Sequence, residues 1–137
     1  MRVGEAISTL NVLPEADLPQ RYAAASGDHN PIHLDPAAAR AAGLPAPILH
    51  GLYTMAQVAR CASRAGADLQ LRRLAVDFRG LGFPGEELEI SGVVEESSAN
   101  SLTLRLTARQ GGRRLIRSAC AVLQACEPSG SPDGVPG

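Results

Sequence analysis

The hydrophobic period of the sequence changes near residue 66, and this change limits the folds that the chain can adopt. Residues 51–65 (GLYTMAQVARCASRA) are apolar or small around most of a helical circumference, and only Gln57, Arg60 and Arg64 are clearly polar. A helix that is apolar nearly all round is typically buried. Beyond it, apolar and polar residues alternate, which is typical of strands with one buried face. The alternating apolar residues are Leu74, Val76 and Phe78, then Leu88 and Ile90, then Leu102, Leu104 and Leu106.

Shorter elements flank this pattern. The sequence predicts an edge strand over residues 5–13, a helix over 15–25, a short helix over 36–42 and a last, less regular strand over 115–125. Pro14 is expected to open the first of these helices, and Asp35 with Pro36 forms an N-cap and first-turn pair for the second. A long buried helix followed by antiparallel strands predicts an α+β fold in which the sheet wraps around that helix.

Length and composition fit one domain. A chain of 137 residues lies in the usual size range of a single domain, and we expect the domain to cover residues 1–126. Residues 127–137 (EPSGSPDGVPG) are rich in Pro, Gly and Ser and predict a disordered tail. Aromatic residues make up only 3% of the chain, so the core must consist of Leu, Val, Ile and Ala. Because small side chains bury little area per residue, a second subunit would help to stabilise such a core.

Charge, cysteine content and hydropathy exclude several classes of protein. A formal net charge of −1 gives no basic field for nucleic acid or anionic lipid. Cys61, Cys120 and Cys126 lack C-x-x-C spacing, so they predict reduced thiols, with Cys61 packed in the long helix, rather than disulfides or a zinc site. The N-terminus lacks the apolar stretch of a signal peptide, and no segment approaches the roughly 18 apolar residues of a membrane span. These features predict a cytoplasmic protein.

The segment between the two short helices carries an acid and an imidazole. Asp28 and His33 are five residues apart, and Gly27 and Pro31 interrupt the helix so that a turn can aim both side chains at one point. Adding water to an α,β-unsaturated thioester, or removing it, requires a base for the water and an acid for Cα. Charge develops on the thioester oxygen, and the N–H groups at His50-Gly51 are suitable donors to it. The alternative, purely structural interpretation is that Asp28 caps a tight turn.

The same segment resembles the R-specific enoyl-CoA hydratase and 3-hydroxyacyl-thioester dehydratase group of the MaoC-like hot-dog family. The signature of this group is an aromatic residue ahead of a small residue, then Gly-Asp-x-Asn-Pro-(aliphatic)-His, then a small residue six positions later. The matching positions are Tyr22, Ser26, Gly27, Asp28, Asn30, Pro31, Ile32, His33 and Ala39. Leu49-His50-Gly51-Leu52 supplies the second element, so the resemblance covers about residues 1–125.

The resemblance implies a hot-dog fold, in which a curved antiparallel sheet wraps one long central helix. It implies Asp28 and His33 as the catalytic pair, Asn30 as a residue that orients them, and the Gly51 N–H as part of an oxyanion hole. His50 is expected to pack or to position the site rather than to act as a base. No metal and no redox cofactor are expected. Family members act as dimers, so a homodimer or a heterodimer with a hot-dog homologue is expected, with the acyl chain near the subunit boundary.

Some alternatives stay open at this point. The substrate could be linked to CoA or to an acyl-carrier protein, and the chain resembles subunits of bacterial fatty-acid or polyketide dehydratases. Ala25 and Ala59 depart from the family pattern, since some hydratases place a Ser at the second position. A non-catalytic subunit that binds acyl chains would not need Asp28 and His33, which argues against that role. A hot-dog thioesterase is disfavoured because the Asp-Asn-Pro-His pattern is not typical of that class.

Overall fold

The computed structural model describes residues 1–126, and the predicted tail over 127–137 lies outside the described residues. In this part of the chain, a five-stranded antiparallel sheet is combined with three α-helices and a 3₁₀ turn over Pro31–His33. The elements are β1 (Leu10–Val12), α1 (Leu18–Ser26), α2 (Pro36–Ala41), α3 (Gly51–Ala65), β2 (Leu69–Phe78), β3 (Leu88–Ser97), β4 (Ser101–Gln110) and β5 (Arg113–Ala125).

The sheet has the strand order β1-β3-β4-β5-β2, and α3 packs against β2, β3, β4 and β5. The inward face of β4 carries Leu102, Leu104 and Leu106, all buried as the alternating pattern predicts. They form one core with Val58 and Ala62 of α3 and with the inward residues of β3 and β5. A sheet that touches one helix through four strands must curve around it. The α+β class and the hot-dog arrangement expected from the sequence are therefore confirmed.

Helix α3 is less buried than its composition predicts. Tyr53, Val58 and Ala62 are buried against the sheet, but Leu52 is 64% exposed and Arg60 is exposed on the opposite side. The expectation of a helix buried nearly all round is wrong because the sheet covers only one side of it. Small apolar residues can be exposed to solvent at little cost, so the apolar composition of this helix does not imply that all of its faces are buried. Gln57, a polar residue, lies instead on the buried side.

The first elements differ from the prediction in their bounds. Helix α1 begins at Leu18, with Pro19 in its first turn, so Pro14 does not open it as expected. Pro14 is buried in the connection before the helix, and its carbonyl accepts a hydrogen bond from Gly85 N. Strand β1 lies at the edge of the sheet, as predicted, but is only three residues long. The N-cap of α2 is confirmed, since Asp35 Oδ1 accepts a hydrogen bond from Ala37 N at 3.0 Å.

Strand β2 departs from the simple alternation at both of its ends. It begins at Leu69, five residues before the alternating run, and its register with β5 shifts between Asp77 and Phe78. A β-bulge re-aims the side chain that follows it. Phe78 is consequently 49% exposed rather than inward with Leu74 and Val76, which corrects the sequence prediction. Its ring lies instead over the start of α3.

The cysteines behave as the sequence predicts. Cys61 is buried in α3, where its thiol donates weak hydrogen bonds to the carbonyls of Ser8 and Ile90, and Cys120 and Cys126 are also free. Burial raises the pKa of the Cys61 thiol, because the charged thiolate would lose solvation. Among residues 1–126, no helix is both long and apolar enough to cross a membrane.

Candidate functional site

The loop after α1 is built from side chains that cap backbone N–H groups. Gly27 ends the helix at φ 83°, a left-handed conformation that favours glycine. Ser26 Oγ then accepts from Asp28 N at 3.1 Å, and Asp28 Oδ1 accepts from Asn30 N at 3.2 Å. Asn30 Oδ1 in turn accepts from Ile32 N at 3.2 Å, which opens the 3₁₀ turn. Asp28 thus caps its turn, as the structural interpretation expects, while its carboxylate stays exposed.

His33 is held in one orientation from the opposite side of the loop. The residue is 8% exposed, and its Nδ1 lies 2.8 Å from the carbonyl oxygen of Ile48. Because a carbonyl only accepts, Nδ1 carries the hydrogen, and in the neutral ring the lone pair is on Nε2. Ile48 N also donates to the carbonyl of Ile32 at 3.2 Å. The segment before α3 therefore fixes both the position and the tautomer of the imidazole.

His50, the N-cap residue of α3, connects the two predicted catalytic residues. It is 2% exposed, and its Nε2–H donates to the backbone carbonyl of Asp28 at 3.0 Å. The His33 and His50 rings stack with centroids 3.9 Å apart and planes 20° apart. Tyr22 packs against His50, with its ring centroid 4.5 Å from that of the imidazole. This is the geometry of a packing and positioning residue.

The structure brings three of the predicted site residues to one point. A carboxylate oxygen of Asp28 and one ring nitrogen each of His33 and His50 lie within 4.8 Å of one another. This donor set is not arranged to hold a metal ion. In two nearly parallel rings stacked 3.9 Å apart, the in-plane lone pairs point side by side and do not converge on one ion. His33 Nδ1 and His50 Nε2 are also engaged with backbone carbonyls.

A cavity of about 130 Å³ lies between His33 and the start of α3. Its walls include His33, Gly51, Thr54, Phe78 and Leu81. The Gly51 amide lies in the first turn of α3, where helical N–H groups have no intrahelical acceptor. A Cβ at Gly51 would lie 3.4 Å from the Phe78 ring, so the missing side chain leaves space for that ring beside the amide. Asp28, Asn30 and His50, by contrast, are not part of the cavity wall, and Asn30 shapes the loop.

Gln110, at the end of β4, holds one wall of the cavity. It is fully buried, its Oε1 accepts from Phe83 N at 2.8 Å, and its Nε2 donates to the carbonyls of Phe83 and Glu86. The loop that it binds contains Gly82, whose carbonyl accepts from Leu49 N at 2.8 Å. One glutamine thus connects the sheet, the loop after β2 and the segment that leads into α3.

Sequence analysis did not identify Thr54, Phe78 or Gln110 as residues of the site. Thr54 has the spacing of an ordinary helix position, and Gln110 ends an alternating strand, where a polar residue is unremarkable. Phe78 reaches the cavity only because of the bulge in β2, and one sequence alone gives no signal for it. His29 is exposed next to Asp28, as predicted.

Comparison with known proteins gives consistent matches along most of the chain. Residues 5–111 match the family described as "MaoC like domain". The enoyl-CoA hydratase ChsH3 of Mycobacterium tuberculosis is 34% identical over 113 residues, covering 80% of this chain and 33% of that protein. The chain therefore spans about a third of this relative, and a smaller share of several others, down to 4%.

Two solved structures share the fold. One is the ChsH1–ChsH2 complex of M. tuberculosis, with a TM-score of 0.82 and 17% identity over 92% of this chain and 99% of that chain. The other is the (R)-hydratase from A. caviae involved in PHA biosynthesis, with a TM-score of 0.81 and 24% identity over 92% of this chain and 98% of that chain. Considered with the Gly-Asp-x-Asn-Pro-Ile-His segment and the sheet wrapped around α3, these matches show that the chain belongs to the MaoC-like domain family and has the hot-dog fold.

Proposed function

We propose that this domain catalyses the reversible dehydration of R-3-hydroxyacyl thioesters to trans-2-enoyl thioesters, linked to CoA or to an acyl-carrier protein. The observation that carries the proposal is that the Asp28 carboxylate lies within 4.8 Å of ring nitrogens of His33 and His50, while His33 and Gly51 line one cavity. Membership in the MaoC-like family supports it, as does the similarity to a protein named enoyl-CoA hydratase. We place the reaction in bacterial fatty-acid or polyketide-type metabolism in the cytoplasm, on the basis of the sequence resemblance and the free thiols.

In the hydration direction, each proposed residue has one task. A base of the Asp28–His33 pair takes a proton from water as the water oxygen bonds to Cβ. The Cα=Cβ electron pair moves toward the thioester, and the negative charge collects on the carbonyl oxygen, where the Gly51 N–H donates a hydrogen bond. The acid of the pair then delivers a proton to Cα, and dehydration follows the same steps in reverse. His50 and Asn30 hold the loop that carries the pair.

We propose that the working unit is a dimer, either of this chain or with a second hot-dog subunit. Strand β2 lies at an edge of the sheet and is ten residues long. Natural sheets rarely leave a long edge strand open, because its unpaired backbone groups bind another strand. Phe78 and Leu81, at the end of β2 and after it, are exposed apolar residues beside the cavity. The relative whose solved structure is a complex of two different proteins supports the mixed pairing as an option.

The absorbance of a trans-2-enoyl thioester tests the function directly. We expect the enone band to disappear without release of free thiol. Asp28→Asn and His33→Ala should each lower turnover at least about a hundredfold with unchanged melting, since each removes a proton-transfer group. His29→Ala and Asp35→Asn are matched controls, because His29 is exposed outside the cavity and Asn replaces Asp well as an N-cap.

Each other outcome contradicts a defined part of the proposal. Release of free thiol would indicate a thioesterase. Binding of the thioester without conversion would indicate a non-catalytic acyl-binding subunit. If either active-site variant keeps more than a tenth of the wild-type turnover, the two-residue mechanism is wrong.

A further inference from the structure

Thr54 is a buried polar residue whose hydroxyl group has no hydrogen-bond partner among residues 1–126. It lies in α3 one turn after Gly51, is 3% exposed, and lines the cavity that also contains His33 and Gly51. Within the part of the chain that the structure describes, its Oγ1 makes no hydrogen bond, not even to the carbonyl of His50 one turn earlier, which accepts from Tyr53 N. Buried polar groups are nearly always paired, so an unpaired one that faces a cavity indicates a ligand atom there.

The direction of the side chain identifies the part of the ligand that it meets. Side chains of an α-helix lean toward its N-terminus, and residues three positions apart lie on the same face. The Thr54 side chain therefore leans toward the first turn of α3, where the Gly51 amide is free. The cavity walls near it are otherwise mostly apolar, with Ile48, Leu49, Phe78 and Leu115 among them. Two residues that carry a hydrogen-bond donor, Gly51 and Thr54, thus line one small space in an apolar surrounding.

We propose that the Thr54 hydroxyl is a second hydrogen-bond donor to the thioester carbonyl oxygen, next to the Gly51 N–H. The inference rests on the function proposed above and assigns a contact that the motif residues do not include. As the water oxygen bonds to Cβ, negative charge builds up on the carbonyl oxygen, and the hydroxyl rotates to donate to it. The hydroxyl keeps its proton throughout, because Asp28 and His33 carry out the proton transfers. Donors placed for charge that develops only in the transition state raise kcat more than they lower KM.

Thr54→Val and Thr54→Ser separate this role from a structural one. Valine has the shape of threonine without the hydroxyl, and serine keeps the hydroxyl. We expect Thr54→Val to lower kcat about a hundredfold, the usual effect of removing one oxyanion donor, and Thr54→Ser to retain most of the activity. Melting of Thr54→Val should be unchanged or higher, because an unpaired buried hydroxyl is removed. Thr103→Val, a half-buried position on β4 away from the cavity, is the matched control.

A binding spectrum tests the contact itself without turnover. In the Asp28→Asn background, a 2,4-dienoyl-CoA should show a red-shifted absorbance band when bound, because donors to its carbonyl polarise the conjugated system. Adding Thr54→Val should remove most of that shift, and adding Thr54→Ser should keep it. A drop in kcat of less than tenfold for Thr54→Val, a shift that survives it, or no shift at all would overturn the assignment. A wild-type protein that binds the dienoyl thioester with the Thr54-dependent shift but hydrates no enoyl thioester would refute the proposed function and leave this contact in place.

Discussion

At the scale of single residues, backbone carbonyls determine the chemistry that the site side chains can perform. Each of the two stacked imidazoles has one nitrogen bound to a carbonyl oxygen, His33 to Ile48 and His50 to Asp28. A carbonyl cannot donate, so each contact selects one tautomer and leaves the other nitrogen as the acceptor. The loop, the segment before α3 and both rings therefore form one unit, in which moving any member changes the orientation of His33.

Replacing Gln110 should disturb this unit mainly by lowering the stability of the fold around it. Gln110→Leu keeps a similar volume but leaves the Phe83 N–H and two carbonyls without their buried partner. Leaving such groups unsatisfied costs about 1–3 kcal/mol in the free energy of unfolding. Urea unfolding followed by circular dichroism measures the loss. Gln124→Leu, at an exposed position on β5, should change the free energy by no more than about 0.5 kcal/mol. Equal effects of the two substitutions would contradict the role given to Gln110.

At the scale of elements, the Gly51 amide at the start of α3 has no intrahelical acceptor, and the missing side chain of this glycine leaves space beside it. Gly51→Val places a branched side chain between that amide and the Phe78 ring, where even a single Cβ would lie 3.4 Å from the ring. We expect activity to fall at least about a hundredfold, since access to an oxyanion donor is lost. Melting should change little, because Gly51 and Phe78 are both exposed and the ring can move aside.

Gly112→Val is the control for this substitution, because nothing lies within 4 Å of a Cβ at that glycine. Activity and thermal melting are measured together on both variants. If Gly51→Val keeps both near-normal turnover and normal melting, Gly51 has no place in the site. If it lowers melting together with activity, the glycine is needed for packing.

The elements that could be predicted from the sequence are those whose structure depends on a single local rule. Alternation placed Leu102, Leu104 and Leu106 inside, and side-chain capping placed Asp35 at the start of α2. Elements decided by tertiary contacts were not predictable in the same way. The exposed side of α3 depends on where the sheet ends, and the outward turn of Phe78 depends on a bulge against β5. The Gly-Asp-x-Asn-Pro-Ile-His motif predicted the position of the site because its turn-forming residues are neighbours in the sequence. Thr54 and Gln110 lie far from the motif in the sequence and join the site only when the chain folds.

At the scale of the whole molecule, the open edge of β2 is the feature that a second subunit would cover. Sedimentation velocity at micromolar concentration should show a dimer for the wild-type chain, or for the chain mixed with a second hot-dog subunit. Ala75→Lys, an exposed position within β2, should weaken association, because a charge on an edge strand opposes strand pairing. Ala67→Lys, also at an exposed position but in the turn before β2, should not. A stable and active monomer would refute the dimer.

We expect the cavity beside Gly51 to limit the length of the acyl chain that the domain accepts. A cavity of about 150 Å³ accommodates benzene, with its six carbon atoms, and the cavity here measures about 130 Å³. We therefore expect kcat/KM to be highest for enoyl thioesters of about four to six carbons and to fall steeply for longer chains. Phe78 closes one side of this space, so Phe78→Ala should shift the optimum toward longer chains while leaving crotonyl turnover largely intact. An unchanged chain-length profile in that variant would show that the length of the substrate is measured elsewhere in the molecule.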